Sequence, residues 1–341
     1  MKFGKSEISD QPILPEAQRQ PELTPKLEQG EQFDKALKEN FKPVVADDRV
    51  QIVDESGRLK PNDRFTIFGV EYETDDNGKI VKIDGSYFGD DNGHHYLDED
   101  GSYLPNCTFT LDGITYKTDD NGNVYMVDGK LLPNTTYELN GNKYSTDENG
   151  RIIKCEATPQ RTPENPRDND AQKHAGGEDR HENDQGGHIV SRDLGGDSGE
   201  GNLVAMDSRI NQSDYKRMEN TIKESLDDGN DVSTKTEITY SGDSNRPDKI
   251  EVTVTIDGKD TVYIFDNNLD GSLINEVPED GKEAVQDELN ETGGEISSIR
   301  KEYDKDGNLI STTVTITYTD ENDSNHRTEV IIDNTQGGMN Q

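Results

Sequence analysis

Residues 184 to 219 hold side chains whose types and spacing suit hydrolysis of a phosphodiester. Asp184-Gln185-Gly186-Gly187-His188 delivers one histidine behind a glycine pair; Asn202 follows, then Asn211 nine residues later and Glu219 eight beyond that. Cleaving a phosphodiester needs a base to take a proton from water, and positive charge to hold the phosphate and offset charge on the leaving oxygen. Histidine suits the first task because its ordinary pKa lies near neutrality. Asparagine suits the second, since a neutral amide oxygen is a hard ligand that leaves Mg²⁺ most of its water and its charge.

These side chains need a scaffold. Gly186 and Gly187 allow close backbone approach or φ > 0, either of which aims the imidazole from a strand or loop. Ile210, Tyr215, Met218, Ile222 and Leu226 recur at helical spacing and predict a helix from Met206 to Leu226, with Ser208 or Ser213 as caps and Gly229 as the stop. Asn211 then opens this helix, and Glu219 stands about two turns further along a similar face.

Gly187-His188-Ile189-Val190, Asn202-Leu203-Val204-Ala205-Met206 and the run from Asn211 to Glu219 resemble the DNA/RNA non-specific endonucleases of the ββα-metal (His-Me finger) class, in their bacterial toxin and secreted-effector branch. The likeness covers roughly residues 165 to 265. It implies His188 as general base, Asn211 as the ligand of Mg²⁺ (or Mn²⁺), Glu219 as the carboxylate that orders water around the cation, and Asn202 as a structural or phosphate-side amide. Gln172 to Arg180 is similar to the family's approach to the site, which implies Arg180 as the cation at the phosphate, a role a bidentate guanidinium suits. Relatives outside the branch carry arginine two residues before the histidine, where Gly186 stands here; Arg180 and Arg192 are the candidates to replace it. The usual Pro-Met is Ala205-Met206, and Leu194 stands where an aromatic is expected. The resemblance further implies DNA and/or RNA as substrate and a cognate immunity protein as partner.

Each residue alone has a plainer role: His188 on a surface loop, Asn211 as a helix cap, Glu219 on a solvated helix face and Arg180 as a surface charge. Only their combination points to hydrolysis. Acidity weighs against it, because nucleic-acid binders normally present basic surface. The formal net charge is −36, and residues 159 to 231 hold nine Lys/Arg against seventeen Asp/Glu. Mg²⁺ with Arg180, Arg192, Lys216 and Arg217 would give a local positive groove, so binding is expected to be weak and salt-sensitive.

Only 28% of the residues are hydrophobic and none is Trp, a poor basis for one large core. The reading is an α+β chain of several units: a disordered tail (1–47), a β-hairpin repeat region (48–157), a nuclease core with an antiparallel sheet (158–268) and a C-terminal antiparallel β module (269–341). No apolar run approaches a membrane span and Met1 to Ser6 has no apolar leader, so export by a leaderless route from the cytoplasm is expected. Cys107 and Cys155 are read as unpaired.

In the repeat region Leu59-Lys60-Pro61-Asn62, Tyr103-Leu104-Pro105-Asn106 and Leu131-Leu132-Pro133-Asn134 each open a strand, turn, strand and acidic turn, with an extra hairpin from Ser86 to Gly101. The acidic turns at Asp75, Asp119, Asp147 and Asp304 resemble calcium loops but lack the full pattern; tight turns requiring φ > 0 explain them without metal. His94-His95 reads as turn surface. Period-two strands are expected at 236–240, 250–256 and 261–265, and again within 299–303, 309–318 and 328–332, the two sheets separated by a short helix near Glu283 to Leu289. Two rival readings are an acidic β-repeat interaction or adhesin-type protein whose nuclease-like segment is inactive, and a calcium-dependent structural module.

Overall fold

The structure, a computed structural model, describes residues 59–67, 70–74, 80–83, 86–87, 96, 102–111, 113–163, 166–320 and 324–335. The expected tail, the turn at Asp75, most of the extra hairpin and His94-His95 lie outside the described residues. The chain divides into two units, Met1–Thr118 and Asp119–Gln341.

In the first unit, β1 (Arg64–Ile67), β2 (Val70–Thr74), β3 (Ile80–Ile83) and β4 (Ser86–Tyr87) form an antiparallel sheet in sequence order. β5 (Thr108–Leu111) and β6 (Ile114–Thr118) form a further hairpin. Phe109 stacks between Tyr96, Tyr103 and Tyr116, with centroids 4.6 to 5.3 Å away; the alternation of β5 and β6 lines these rings up on one face.

The second unit begins with β7 (Val124–Val127) and β8 (Lys130–Leu131), then β9 (Thr136–Leu139), β10 (Asn142–Thr146) and β11 (Ile152–Ala157). One hydrogen-bond signature recurs in the hairpins β1–β2, β5–β6 and β9–β10. Thr74, Thr118 and Thr146 each donate a hydroxyl to the carbonyl 14 residues earlier, on Lys60, Leu104 and Leu132, at 2.6 Å. The same hydroxyl accepts from the amides of Asp63, Cys107 and Thr135 at 2.9, 2.8 and 3.0 Å. Each Pro-Asn turn needs left-handed backbone, which Asn62, Asn106 and Asn134 supply at φ of 50°, 52° and 48°.

After β11 come a short helix (Asn169–His174), the two-stranded hairpin β12 (Asp184–His188) and β13 (Leu203–Asp207), a π-helical turn (Ile210–Asp214) and a helix (Tyr215–Asp227). Then follow β14 (Val232–Thr239), β15 (Lys249–Ile256), β16 (Lys259–Asp266), a helix (Lys282–Thr292), β17 (Glu295–Tyr303), β18 (Leu309–Thr319) and β19 (Asn325–Asp333). Nine of these strands make one antiparallel sheet in the order β19-β18-β17-β16-β15-β14-β11-β10-β9. The sheet crosses both expected boundaries. β11 pairs with β14 across 157/158, and β16 pairs with β17 across 268/269, so the expected two separate sheets are one. The intervening helix does not part them; it packs on one face of the sheet and the chain returns beside β16 as β17.

Two cores sit on this sheet. Phe265, Ile250, Val252 and Val254 pack with Tyr215, Met218 and Ile222 of the helix Tyr215–Asp227. Ile264, Ile296, Ile299, Val314 and Ile316 pack with Val285 of the helix Lys282–Thr292. Ile264 and Phe265 are neighbours on β16 and must point opposite ways, so the two helices cover opposite faces. A β-bulge between Ile296 and Ser298 adds a residue to β17, which lets Ile296 and Ile299 share one core. Neither cysteine is in a disulfide, and Cys155 is buried.

Candidate active site

The glycine pair sets the hairpin between two layers. A Cβ on Gly186 would stand 2.6 Å from Cα of Gln172 in the short helix, and one on Gly187 would stand 2.8 Å from Cε of Met206. Close packing on both faces of β12, with neither glycine at positive φ, is therefore what the pair provides. The abutting helix also leaves no room for an arginine at 186. Asp184, at the start of β12, is clamped by Arg246 through Nε and Nη2 at 2.7 and 2.9 Å, a pair almost wholly shielded from solvent. Asn267 adds bonds to Ala205 O, Pro247 O and the Asp207 amide. Hairpin and large sheet are thus locked together.

The helical side is strapped to the same strand. Nδ2 of Asn211 donates to Oε1 of Gln185 at 2.7 Å, and one turn on the Tyr215 hydroxyl donates to Ile189 O at 2.7 Å. Glu219, a further turn along, is buried beside Ile189 to Ser191 and takes a hydrogen bond from Nζ of Lys216 at 2.8 Å. Asn211 lies in the π-helical turn, a form that recurs at functional sites. The expected helix thus starts later than Met206, because Met206 and Asp207 are paired with Gln185 and Asp184 in the hairpin. Its end near Gly229, at φ 84°, is as expected. Asp214 closes the turn with two bonds to the bulge on β17, accepting from Ser297 Oγ at 2.6 Å and Ser298 Oγ at 3.0 Å.

Asn202 is wholly buried and its amide is fully used within the protein. Oδ1 accepts from the Val190 amide and the Tyr144 hydroxyl at 2.9 and 3.0 Å, while Nδ2 donates to Val190 O and Asp197 O. Of the two roles implied for it, this geometry leaves the structural one. Arg180 stands at the opposite end of β12 from His188. Its guanidinium donates to Gln172 O, Lys173 O and Asp184 O at 2.5, 3.1 and 2.6 Å, tying the short helix to the first residue of β12. His188 is the last residue of that strand, about 13 Å away at ~3.3 Å per residue. The cations that reach His188 are Arg192, which is buried, and Arg167.

The electrostatics of His188 follow. Burial first, and then Arg192 and Arg167, push its pKa down from 6.5 to about 4. The imidazole is neutral at physiological pH, and its Nε2 is buried with no hydrogen-bond partner among the described residues. A buried polar atom left unbonded is uncommon and marks a site that awaits a ligand or a reaction. Asn211, half-buried, is oriented by the bond from its Nδ2 to Gln185, which leaves its Oδ1 as the atom to face a ligand. This donor set suits a hydrated divalent cation.

Sequence reasoning missed several supporting residues. Gln185 and Tyr215 were within the motif, and Tyr215 stands four after Asn211, the spacing of one helix face. Arg246 and Asn267 carried no signal, since their partners are distant in sequence. Tyr137 and Tyr144 were read as repeat residues, yet the Tyr137 hydroxyl donates to Gly201 O at 2.8 Å and Tyr144 holds Asn202.

A clamped hairpin, a π-helical turn bearing an asparagine and a neutral buried histidine thus stand together, and the comparisons with known proteins bear on what they do. Residues 133–258 match the DNA/RNA non-specific endonuclease family, and the chain carries a domain of that family. Type VII secretion system protein EssD of Staphylococcus aureus (strain USA300) is 37% identical over 99 residues, which cover 27% of this chain and 16% of that protein. The proteins so described from strains NCTC 8325 / PS 47 and Newman match to the same extent. Residues 73–150 match a family of unknown function, DUF1410. The endonuclease match begins at 133, so it takes in β9 to β11, the strands that support Asn202.

Proposed function

We propose that this chain is a divalent-cation-dependent, non-specific endonuclease for DNA and RNA that acts as a bacterial toxin or effector. The observation that carries the reading is the neutral, unbonded Nε2 of His188 at the end of a strand strapped to the helix of Asn211 and Glu219. β12, β13 and the helix Tyr215–Asp227 correspond to the ββα element of the class.

His188 takes a proton from water as the water oxygen bonds to phosphorus. The bond from phosphorus to the leaving oxygen then breaks, and that oxygen is protonated from solvent. Asn211 Oδ1 would hold Mg²⁺, or Mn²⁺; a cation bound there supplies charge against that developing on the phosphate. Glu219 is a positioning residue for the water around that cation, Asn202 fixes the backbone after His188, and Arg192 with Arg167 offsets phosphate charge.

The likeness to a type VII secretion system protein supports export by that route; the producing cell would then hold a cognate immunity protein. No helix among the described residues is long and apolar enough to cross a membrane. The test is degradation of plasmid and of total RNA: cleavage that requires Mg²⁺, stops with EDTA and disappears in His188→Ala is expected. Indistinguishable behaviour of wild type and His188→Ala would favour the acidic interaction protein instead.

A further inference from the structure

The π-helical turn that carries Asn211 is tied to strands lying beyond residues 133–258, the segment that matches the endonuclease family. Arg209, just before the turn, reaches Glu295 of β17 at 3.8 Å. Asp214, the last residue of the turn, is only 3% exposed, and its Oδ2 accepts from Ser297 Oγ and Ser298 Oγ of β17 at 2.6 and 3.0 Å. Its Oδ1 takes Nη2 of Arg217, whose Nη1 stands 3.7 Å from Glu329 of β19. Neighbouring strand residues ordinarily point to opposite faces. Ser297 is the extra residue of the β17 bulge, and the bulge brings its hydroxyl to the same carboxylate oxygen that Ser298 meets.

A π-turn is a rare form that needs a reason to persist. Here the Tyr215 amide bonds Ile210 O, five residues back. Closing it to an α-turn would rotate the residues before it by one position, about 100° at 3.6 residues per turn, and would swing Asn211 away from Gln185. A buried carboxylate gripped by two hydroxyls and a guanidinium resists that rotation, because moving Asp214 would leave its charge unpaired. We infer that Asp214, held by the bulge at Ser297 and Ser298, is a positioning residue that keeps the turn in its π form and so keeps Asn211 Oδ1 aimed at the cation. The inference rests on the nuclease reading for that cation. It makes β17, which lies outside the matched segment, a determinant of metal affinity.

The test is titration of the full chain with Mn²⁺ alone, free ion being read by electron paramagnetic resonance, with no nucleic acid present. Ser297→Ala/Ser298→Ala should weaken Mn²⁺ binding about tenfold or more. Ser298→Ala alone, which keeps the shorter of the two bonds, should show part of that loss, and it decides the matter if the double variant does not unfold cooperatively in urea. Thr312→Val is the control for stability. It removes a buried hydroxyl bonded to Asn334 Oδ1 at 3.0 Å on the face of β18 that carries Val314 and Ile316, so it should lower the urea midpoint and leave Mn²⁺ affinity at the wild-type value. Wild-type affinity in the folded serine variants, or an equal loss in Thr312→Val, would overturn the inference while leaving the nuclease reading intact. Asn211→Ala should bind Mn²⁺ no better than the double variant; wild-type affinity there would count against the nuclease reading's cation site itself, and the inference would fall with it.

Discussion

The imidazole of His188 stays neutral far into the acid range because burial, Arg192 and Arg167 all oppose its charging. Neutral is the form that accepts a proton, so the acid limb of kcat/KM, which reports the free enzyme, is expected near pH 4 and not near 6.5. The same shift links to stability. An unfolded histidine takes up its proton below about pH 6.5 and the folded one only near 4, so the folded state loses stability progressively as pH falls through that window. At ~1.4 kcal/mol per pKa unit the full loss is at most about 3 kcal/mol. Urea unfolding at pH 7 and pH 4 should show a smaller acid-induced loss for His188→Gln than for wild type; equal losses would contradict the buried neutral form. Asn202 makes a separate claim. Substituting Ala strands the Tyr144 hydroxyl and the Val190 backbone, which should cost about 1–3 kcal/mol for each group left unpaired. Thermal melts of Asn202→Ala and Tyr144→Phe check this, the first being the more damaging.

The hairpin β12–β13 is small and owes its placement to long-range polar clamps. Asp184 with Arg246 is the principal one, a bidentate pair in which each partner leaves a buried charge if the other is removed. Arg246→Met should therefore destabilise by about 3–5 kcal/mol; a loss of unfolding free energy in urea of under about 1 kcal/mol would show the clamp to be dispensable. Much of the element order was readable. The period-two strands and the later helices fall close to where alternation and helical spacing put them, because one face of each is buried. Less readable were the boundaries. β9 to β11 share the Pro-Asn turn and acidic turn of the earlier hairpins, so local pattern groups them together, whereas the pairing of β11 with β14 is a non-local event that no local pattern encodes. The same limit hid Arg180. Its spacing resembles the family's approach to the site, while its guanidinium bonds the Asp184 carbonyl at the start of β12.

With 72 acidic residues against 36 basic ones, the molecule as a whole repels a polyanion, and its affinity for nucleic acid should fall steeply with salt as the few local cations are screened. The nine-stranded sheet to which the site hairpin is clamped also contains the C-terminal strands, so the latter are not a detachable module. Truncation after residue 268 would strip β17 from β16 and expose Ile264 along a bare edge; the fragment should be insoluble, and a soluble, cooperatively folding product would contradict the shared sheet. The motif from His188 to Glu219 spoke clearly in the sequence because its chemistry is local, while the ties that make it rigid run across the fold. The central claim is that His188 is the base, and the most direct measurement is single-turnover cleavage of labelled duplex DNA by His188→Gly with and without free imidazole. A loss of about a hundredfold or more is expected, partly recovered by imidazole with a rate that follows imidazole's own titration. Cleavage by His188→Gly at the wild-type rate would contradict it.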